Sequence, residues 1–364
     1  MKPEHNKIAI IIIFAIFAVL ALVLGLVLGL KKFTKDKTTK NNREIVNSYS
    51  NTAELIQKYP VINSTTVLPG LEEKIQNRLL TGFENWNRGF DAWKAWGNIL
   101  YTNESIYNVH GARLSLAQYQ TAMDISLQQQ IILMGDFHNM LIIDNFAAIH
   151  YDFKSGKDIN NLNKSRVMEF VQFKDYGEKL GTRVVEGWGS TKDVTYNGLT
   201  YFQGEEEKTE QEYQNILTLN YNIPKTNNLT EKYYIKYKTN YNDSNANDIL
   251  KIILEGFDSW NTNITEYENW VNKAYDVNAI SSSLDERERN MTQYINEIRE
   301  LFKKEKITKL YFDNVLIREN WTALHYRFRR ENITSHEKDV ADRMEFLKFE
   351  EKEGQLKIVA SWIQ

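Results

Sequence analysis

His150 and Glu186 are the side chains whose type and setting could move a proton. His150 lies in an alternating run in which Phe146, Ala148, His150 and Asp152 share one strand face and Ile149, Tyr151 and Phe153 the other. An imidazole titrating near 6.5 can take up and return a proton at neutral pH, whereas the same ring hydrogen-bonded inside a sheet is structural. Glu186 shares a strand face with Trp188. Aimed into an apolar cavity its carboxyl would act as acid or base; aimed at water it would do neither. The aromatic residues Trp93, Trp96, Tyr151 and Trp188 either line a site for a small apolar or aromatic molecule or fill a core.

Other chemistries find no residues. The chain has no cysteine, its six histidines include no pair at the spacing of a helical metal motif, and neither phosphate-binding glycine patterns nor a serine elbow occur. No metal and no cofactor are expected. A formal charge of −3 gives no electrostatic reason to expect nucleic acid, and the small cluster Arg327, Arg329 and Arg330 reads as a solvated edge.

The elements that would hold these groups occur twice. Gly82-Phe-Glu-Asn-Trp-Asn87 returns as Gly256-Phe-Asp-Ser-Trp-Asn261, Ala148-Ile-His-Tyr-Asp-Phe153 as Ala323-Leu-His-Tyr-Arg-Phe328, and Met168-Glu-Phe170 as Met344-Glu-Phe346. The offset wanders only between 174 and 176. His325 therefore repeats His150 and Trp362 repeats Trp188. Each unit opens with a long helix, marked by Leu71, Ile75, Leu79, Phe83, Trp86, Phe90 and Trp93 in the first. A second helix follows, Ser115 to Gln130 and Asp285 to Lys304. The period then drops to two. Ile131 to Ile143 and Phe146 to Phe153 read as a hairpin turning at Asp144-Asn145, with the positive φ on the Asn, echoed at Glu319-Asn320. Val167 to Phe173 and Arg183 to Gly189, echoed by Arg343 to Phe349 and Leu356 to Trp362, add two strands. The fold class is α+β: two tandem cone-shaped domains, each with helices packed on a curved antiparallel sheet of about four strands.

That order of elements, with Asn87-Arg-Gly-Phe-Asp-Ala-Trp93 early and Val184-Val-Glu-Gly-Trp188 late, resembles the SnoaL-like branch of the nuclear-transport-factor-2-like superfamily, in two tandem copies. The resemblance covers Leu71 to Asp193 and, through the repeat, Asn247 to Gln364. It implies a small-molecule-binding or scaffold module, or a cofactor-independent polyketide-cyclase-like or isomerase-like enzyme working in the first pocket. In the family pattern a short strand after the first helix carries a His, which Asn108-Val-His-Gly111 resembles, and a late Trp is followed by an Asp, which Trp188 and Asp193 resemble. His110 thus joins Glu186 and His150 as a catalytic candidate, and Asp193 joins Trp188 as a ligand-binding one. The second unit departs from the pattern, with Ser281 to Leu284 where the His would fall and no terminal Asp.

Outside the units, residues 8–30 are all apolar or glycine, a helix about 35 Å long and enough to span a bilayer as an uncleaved anchor. Lys31, Lys32, Lys35, Lys37, Lys40 and Arg43 place the body inside by the positive-inside rule. Nine N-x-S/T sequons, where composition predicts about four, favour an extracellular or lumenal body. Residues 31–70 read as a polar stalk and 194–246 as a linker in which Val194 to Phe202 and Tyr233 to Thr239 could form extra strands. The expected partners are the lipid bilayer, a small apolar or aromatic ligand, and further copies or a membrane complex.

Overall fold

Leu55 and Tyr59 are buried at 1% and 5% exposure, so the apolar positions of the expected stalk already belong to a core. The computed structural model describes residues 52–109, 112–191, 233, 235–238, 245–282 and 287–364, all within one compact unit. In the first half the order is α1 (Thr52–Lys58), β1 (Val61–Ser64), α2 (Leu71–Asn87), α3 (Phe90–Leu100), β2 (Tyr101–Val109), β3 (Ala112–Ser115), α4 (Leu116–Gln129), β4 (Ile131–Ile143), β5 (Phe146–Asp158), β6 (Asn161–Asp175) and β7 (Thr182–Thr191). The second half runs β8 (Ile235–Lys238), α5 (Ala246–Thr262), α6 (Ile264–Ala274), β9 (Tyr275–Ser282), β10 (Glu288–Asn290), α7 (Met291–Phe302), β11 (Glu305–Arg318), β12 (Trp321–Asn332), β13 (Lys338–Lys352) and β14 (Gln355–Ile363).

The chain is α+β, and each half carries one seven-stranded sheet. The strand orders are β1-β4-β5-β6-β7-β2-β3 and β8-β11-β12-β13-β14-β9-β10. Position by position they are equivalent, down to parallel pairs at β1/β4 and β8/β11 and again at β2/β7 and β9/β14. The sheets are therefore mixed and larger than the four antiparallel strands expected. The outermost additions come from the expected stalk and from the strand read at Tyr233 to Thr239 in the linker: Val61 pairs with Phe137 as Ile235 pairs with Phe312. The polar stalk is corrected accordingly over residues 52–70. Tyr59 donates to Glu84 at 2.7 Å and Tyr233 to Asp258 at 3.2 Å, so the repeat begins upstream of Leu71.

Two local expectations also change. The single opening helix breaks at Arg88-Gly89, where Gly89 takes φ 113°, and in the second half at Asn263, whose side chain caps α6 by accepting from the Glu266 amide. In the hairpins the positive φ of 54° falls on Asp144 and Glu319 rather than on Asn. Asn145 is occupied otherwise, donating from Nδ2 to the Phe173 carbonyl and accepting from the Phe173 amide.

The helices cover one face of each sheet. Gly82 allows the closest approach, since a Cβ there would meet Trp96 at 2.4 Å, and Gly256 does the same for Trp270 at 2.5 Å. The opposite faces pack against each other along a seam of Leu141, Ala148 and Phe170 with Leu316, Ala323 and Phe346, all 0% exposed. Its contacts are reciprocal: His150 lies 6.0 Å from Phe346 and 6.5 Å from Trp362, while His325 lies 5.5 Å from Phe170 and from Trp188. Reciprocity of this kind is what a two-fold axis produces between identical subunits. One clasp breaks it. Arg318 holds Glu72 through Nη2 at 2.7 Å and donates to the Thr66 and Ile142 carbonyls. Among the described residues no helix is long and apolar enough to cross a membrane. The span expected at residues 8–30, and the strand expected at Val194 to Phe202, lie outside them.

Candidate functional site

Alternation along β5 sends Ile149 and Tyr151 toward the helices, and on β6 it sends Val167 and Glu169 the same way. Beneath α2, α3 and α4 these residues close a cavity of about 250 Å³. Trp86, Trp93 and Trp96 form its helical wall, Tyr107 of β2 and Tyr119 of α4 one side, and Val184 and Gly189 of β7, the strand next to β2, part of its floor. Trp86 and Trp93 meet edge to face at 5.1 Å, and Tyr107 stacks on Tyr119 at 4.4 Å. Tyr107 can lie flat because Gly187 leaves room, where a Cβ would sit 2.5 Å from its ring.

Among the described residues Glu169 is the one carboxyl on the lining. Tyr151 donates to its Oε1 at 2.7 Å, and Tyr107 hydrogen-bonds it as well. Burial pushes its pKa up, and the two tyrosine donors only partly offset that cost. The hydroxyls of Tyr107, Tyr119 and Tyr151 are raised well above the ordinary value by burial and by the neighbouring carboxyl, so they stay protonated and serve as donors. A carboxyl with raised proton affinity, set in an aromatic chamber, can when protonated donate to a ligand oxygen, and can exchange a proton with a carbon acid. No group of three or more His, Asp or Glu side chains among the described residues could hold a metal ion.

Of the candidates from sequence, Trp93, Trp96 and Tyr151 line this cavity. Trp188 does not; it lies in the seam beside His325. Glu186 is also away from the lining and accepts from Asn108 Nδ2 at 3.1 Å. The cause is a bulge: β6 and β7 slip register between Gln172 and Phe173, so Val184 faces the cavity, as do Gly187 and Gly189, while Glu186 and Trp188 turn away. His150 is 1% exposed on the seam side, and its Nδ1 accepts from Asn139 Nδ2 at 3.0 Å. Burial, helped by His138 and Arg166, pulls its pKa well below 6.5, so the ring is neutral and far from the chamber. His110 and Asp193 lie outside the described residues. The arginine cluster is not a free edge either, since Arg327 forks onto Asp313 at 2.7 and 2.9 Å.

Sequence reasoning passed over Glu169, Tyr107 and Tyr119. The signal for Glu169 was available in the repeat, because Met168-Glu-Phe170 and Met344-Glu-Phe346 keep a carboxyl between two seam residues and hence on the helix side. Its partner, Tyr151, repeats as Tyr326.

Comparison with solved structures finds likenesses that each span about a third of this chain. A putative hydroxylase from Streptomyces galilaeus covers 32% of this chain and 88% of its own, at 15% identity and TM-score 0.27. A putative SnoaL-like polyketide cyclase from Mesorhizobium loti covers 32% and 97%, at 12% identity and TM-score 0.25. An NTF2-like protein from Cytophaga hutchinsonii covers 34% and 98%, at 10% identity and TM-score 0.26. No family model and no curated protein matches the chain. At these TM-scores no activity passes from the neighbours to this chain.

Proposed function

We propose that the first half binds a small, largely apolar or aromatic molecule in the cavity beneath α2, α3 and α4, with Glu169 as its polar anchor. In this reading the chain is a tandem of two SnoaL-like units joined through their sheets, and residues 8–30 hold it in a bilayer with the body on the extracellular or lumenal side. The observation that carries the reading is Glu169 itself, a carboxyl held by Tyr151 at 2.7 Å inside a cavity of about 250 Å³ walled by tryptophan and tyrosine. Apolar cavities of about 150 Å³ already hold benzene, so a two-ring molecule is of suitable size. Polar groups that are few and convergent on an apolar wall give such a site its orientation.

A second reading uses the same carboxyl for catalysis, as the proton carrier of an isomerase or cyclase that needs no cofactor. The raised proton affinity of Glu169 favours it, and Tyr107 and Tyr119 would then steady the charge that develops on a ligand oxygen. Glu169 takes the role that the sequence gave to Glu186.

Three tryptophans on the wall make the site its own reporter. Titration with 2-naphthol should quench intrinsic fluorescence saturably, and Glu169→Gln should weaken that binding about tenfold while the fold persists, as expected for loss of a buried charge-assisted or strong neutral hydrogen bond. Unchanged affinity in Glu169→Gln would remove the anchor from the account.

A further inference from the structure

Charged side chains replace uncharged ones at equivalent positions of the second half. Val167 and Gln130, both on the first cavity, correspond to Arg343 and Glu305. Arg343 stands opposite Tyr326 as Val167 stands opposite Tyr151. Its guanidinium lies 5.7 Å over the Phe328 ring and donates to the Asp342 carbonyl at 2.9 Å. Arg330, next along that face, is balanced by Glu305 at 3.2 Å. Among the described residues no carboxylate lies at ion-pairing distance from Arg343, Asp342 and Glu305 acting on it only from further off, and it is half-buried. Two residues further along the strand, Glu345 accepts from Tyr326 at 3.3 Å, and Tyr267 and Tyr294 share a hydrogen bond of 2.7 Å on the helices above. Arg343, Glu345 and Tyr294 keep some accessible surface, whereas Tyr326, Tyr267 and Tyr275 are closed off.

We propose that the second half binds a small amphipathic carboxylate, its anionic head on the Arg343 guanidinium and its apolar body against Phe328 and Tyr294. A guanidinium offers a planar fork of donors that matches a carboxylate, and stacking on an aromatic ring holds that fork in place. The proposal does not depend on the reading of the first half. It also carries a pH signature. Glu345 faces Tyr326 of β12, Tyr275 of β9, Tyr267 of α6 and Tyr294 of α7, all with hydroxyls kept protonated by burial, while Arg330, Glu305 and Asp342 surround Arg343. Burial pushes the Glu345 carboxyl up to about 7. Its ionisation places a negative charge beside the bound anion, so binding weakens as pH rises through about 7.

Calorimetric titration of the full chain with decanoate, and with decanol as its uncharged counterpart, tests this. At pH 6 decanoate should bind at least about tenfold tighter than decanol, and Arg343→Met should remove that preference while leaving decanol unchanged. Equal affinity of the two probes for the native chain, or a preference that survives Arg343→Met, would overturn the proposal. If Arg343→Met does not fold, the native chain still decides it: decanoate affinity should fall between pH 6 and pH 8.5 while decanol affinity stays level, and parallel behaviour refutes the site. Glu169→Gln keeps the decanoate preference. Loss of the preference in Glu169→Gln alone would place the anion in the first cavity, ending this proposal without touching the one for the first half.

Discussion

Glu169 and Glu345 are one carboxyl in two settings. Each sits at the same register of an equivalent sheet, faces the helices and accepts from an equivalent tyrosine. In the first half Tyr107 adds a second donor and an aromatic cavity opens beside the pair; in the second half Ser281 and Ser361 take the places of Tyr107 and Gly187 and bond each other at 3.0 Å. The seam tells the opposite story, because Phe170 and Phe346, Ala148 and Ala323, and His150 and His325 remain matched in type and burial. The difference teaches where such a chain is free to change. Seam residues meet their own repeat across the interface, so packing density holds both copies alike. Helix-side residues meet only their own half and can diverge.

The seam gives the largest effects. Phe170→Ala and Phe346→Ala should each cost about 3 to 5 kcal/mol in denaturant unfolding, and the two values should agree. A gap wider than about 1.5 kcal/mol between them would break the seam's equivalence. Because the two rings lie 6.4 Å apart, the double variant should fall short of the sum.

The carboxyls come next. A raised folded pKa means that an acid stabilises most when it is protonated, and that stability is lost as pH climbs from the ordinary 4.5 through the folded value of about 7. Glu345→Gln should therefore match the native chain near pH 4 and exceed its stability near pH 8.5, by up to about 3 kcal/mol. Glu169→Gln should shift stability in the same direction. An unchanged pH profile in either variant would separate the two carboxyls.

The seam histidines sharpen the comparison further, since they have opposite proton affinities. Burial lowers both, but for His325 the Asp342 carboxylate at 2.8 Å outweighs it and leaves the pKa raised. That stabilisation is complete below 6.5 and fades as pH rises through the folded value. Asp342→Asn should cost about 1 to 2 kcal/mol near pH 5.5 and less near pH 8.5. The smallest effect belongs to the tyrosines. Tyr151→Phe should cost about 1 kcal/mol and Tyr326→Phe less, following bond lengths of 2.7 and 3.3 Å, as read by thermal unfolding at neutral pH.

How much of this was legible differs by region. The hairpin β4/β5 and its repeat could be read directly, because Phe137 to Phe153 and Phe312 to Phe328 repeat the same apolar runs around a two-residue turn. The opening helix of each half was visible, but its break was not: Gly89 and Asn263 sit between stripes whose spacing continues across them. β1 was hidden by brevity, four residues with a half-exposed pattern inside an expected stalk, whereas β8, equally short, falls within the strand read at Tyr233 to Thr239. The site was legible in part, through Trp93, Trp96 and Tyr151. For Glu186 the sequence left a cavity face and a water face open; a bulge after Val184, which no local composition announces, sets Val184 toward the cavity and Glu186 away from it. Glu169 carries no local sign of its own: it alternates between two buried seam residues, and only its return as Glu345 marks it.

Carbon-13 NMR of the glutamate side-chain carboxyls, followed from pH 3 to pH 9, addresses the central claim without perturbing the fold. Two resonances should titrate above the ordinary carboxylate value, one of them near 7 and absent in Glu345→Gln, and the other absent in Glu169→Gln and shifted by 2-naphthol. If every carboxyl titrates at or below the ordinary value, or if 2-naphthol leaves the Glu169 resonance where it was, the chamber in the first half is not the binding site described.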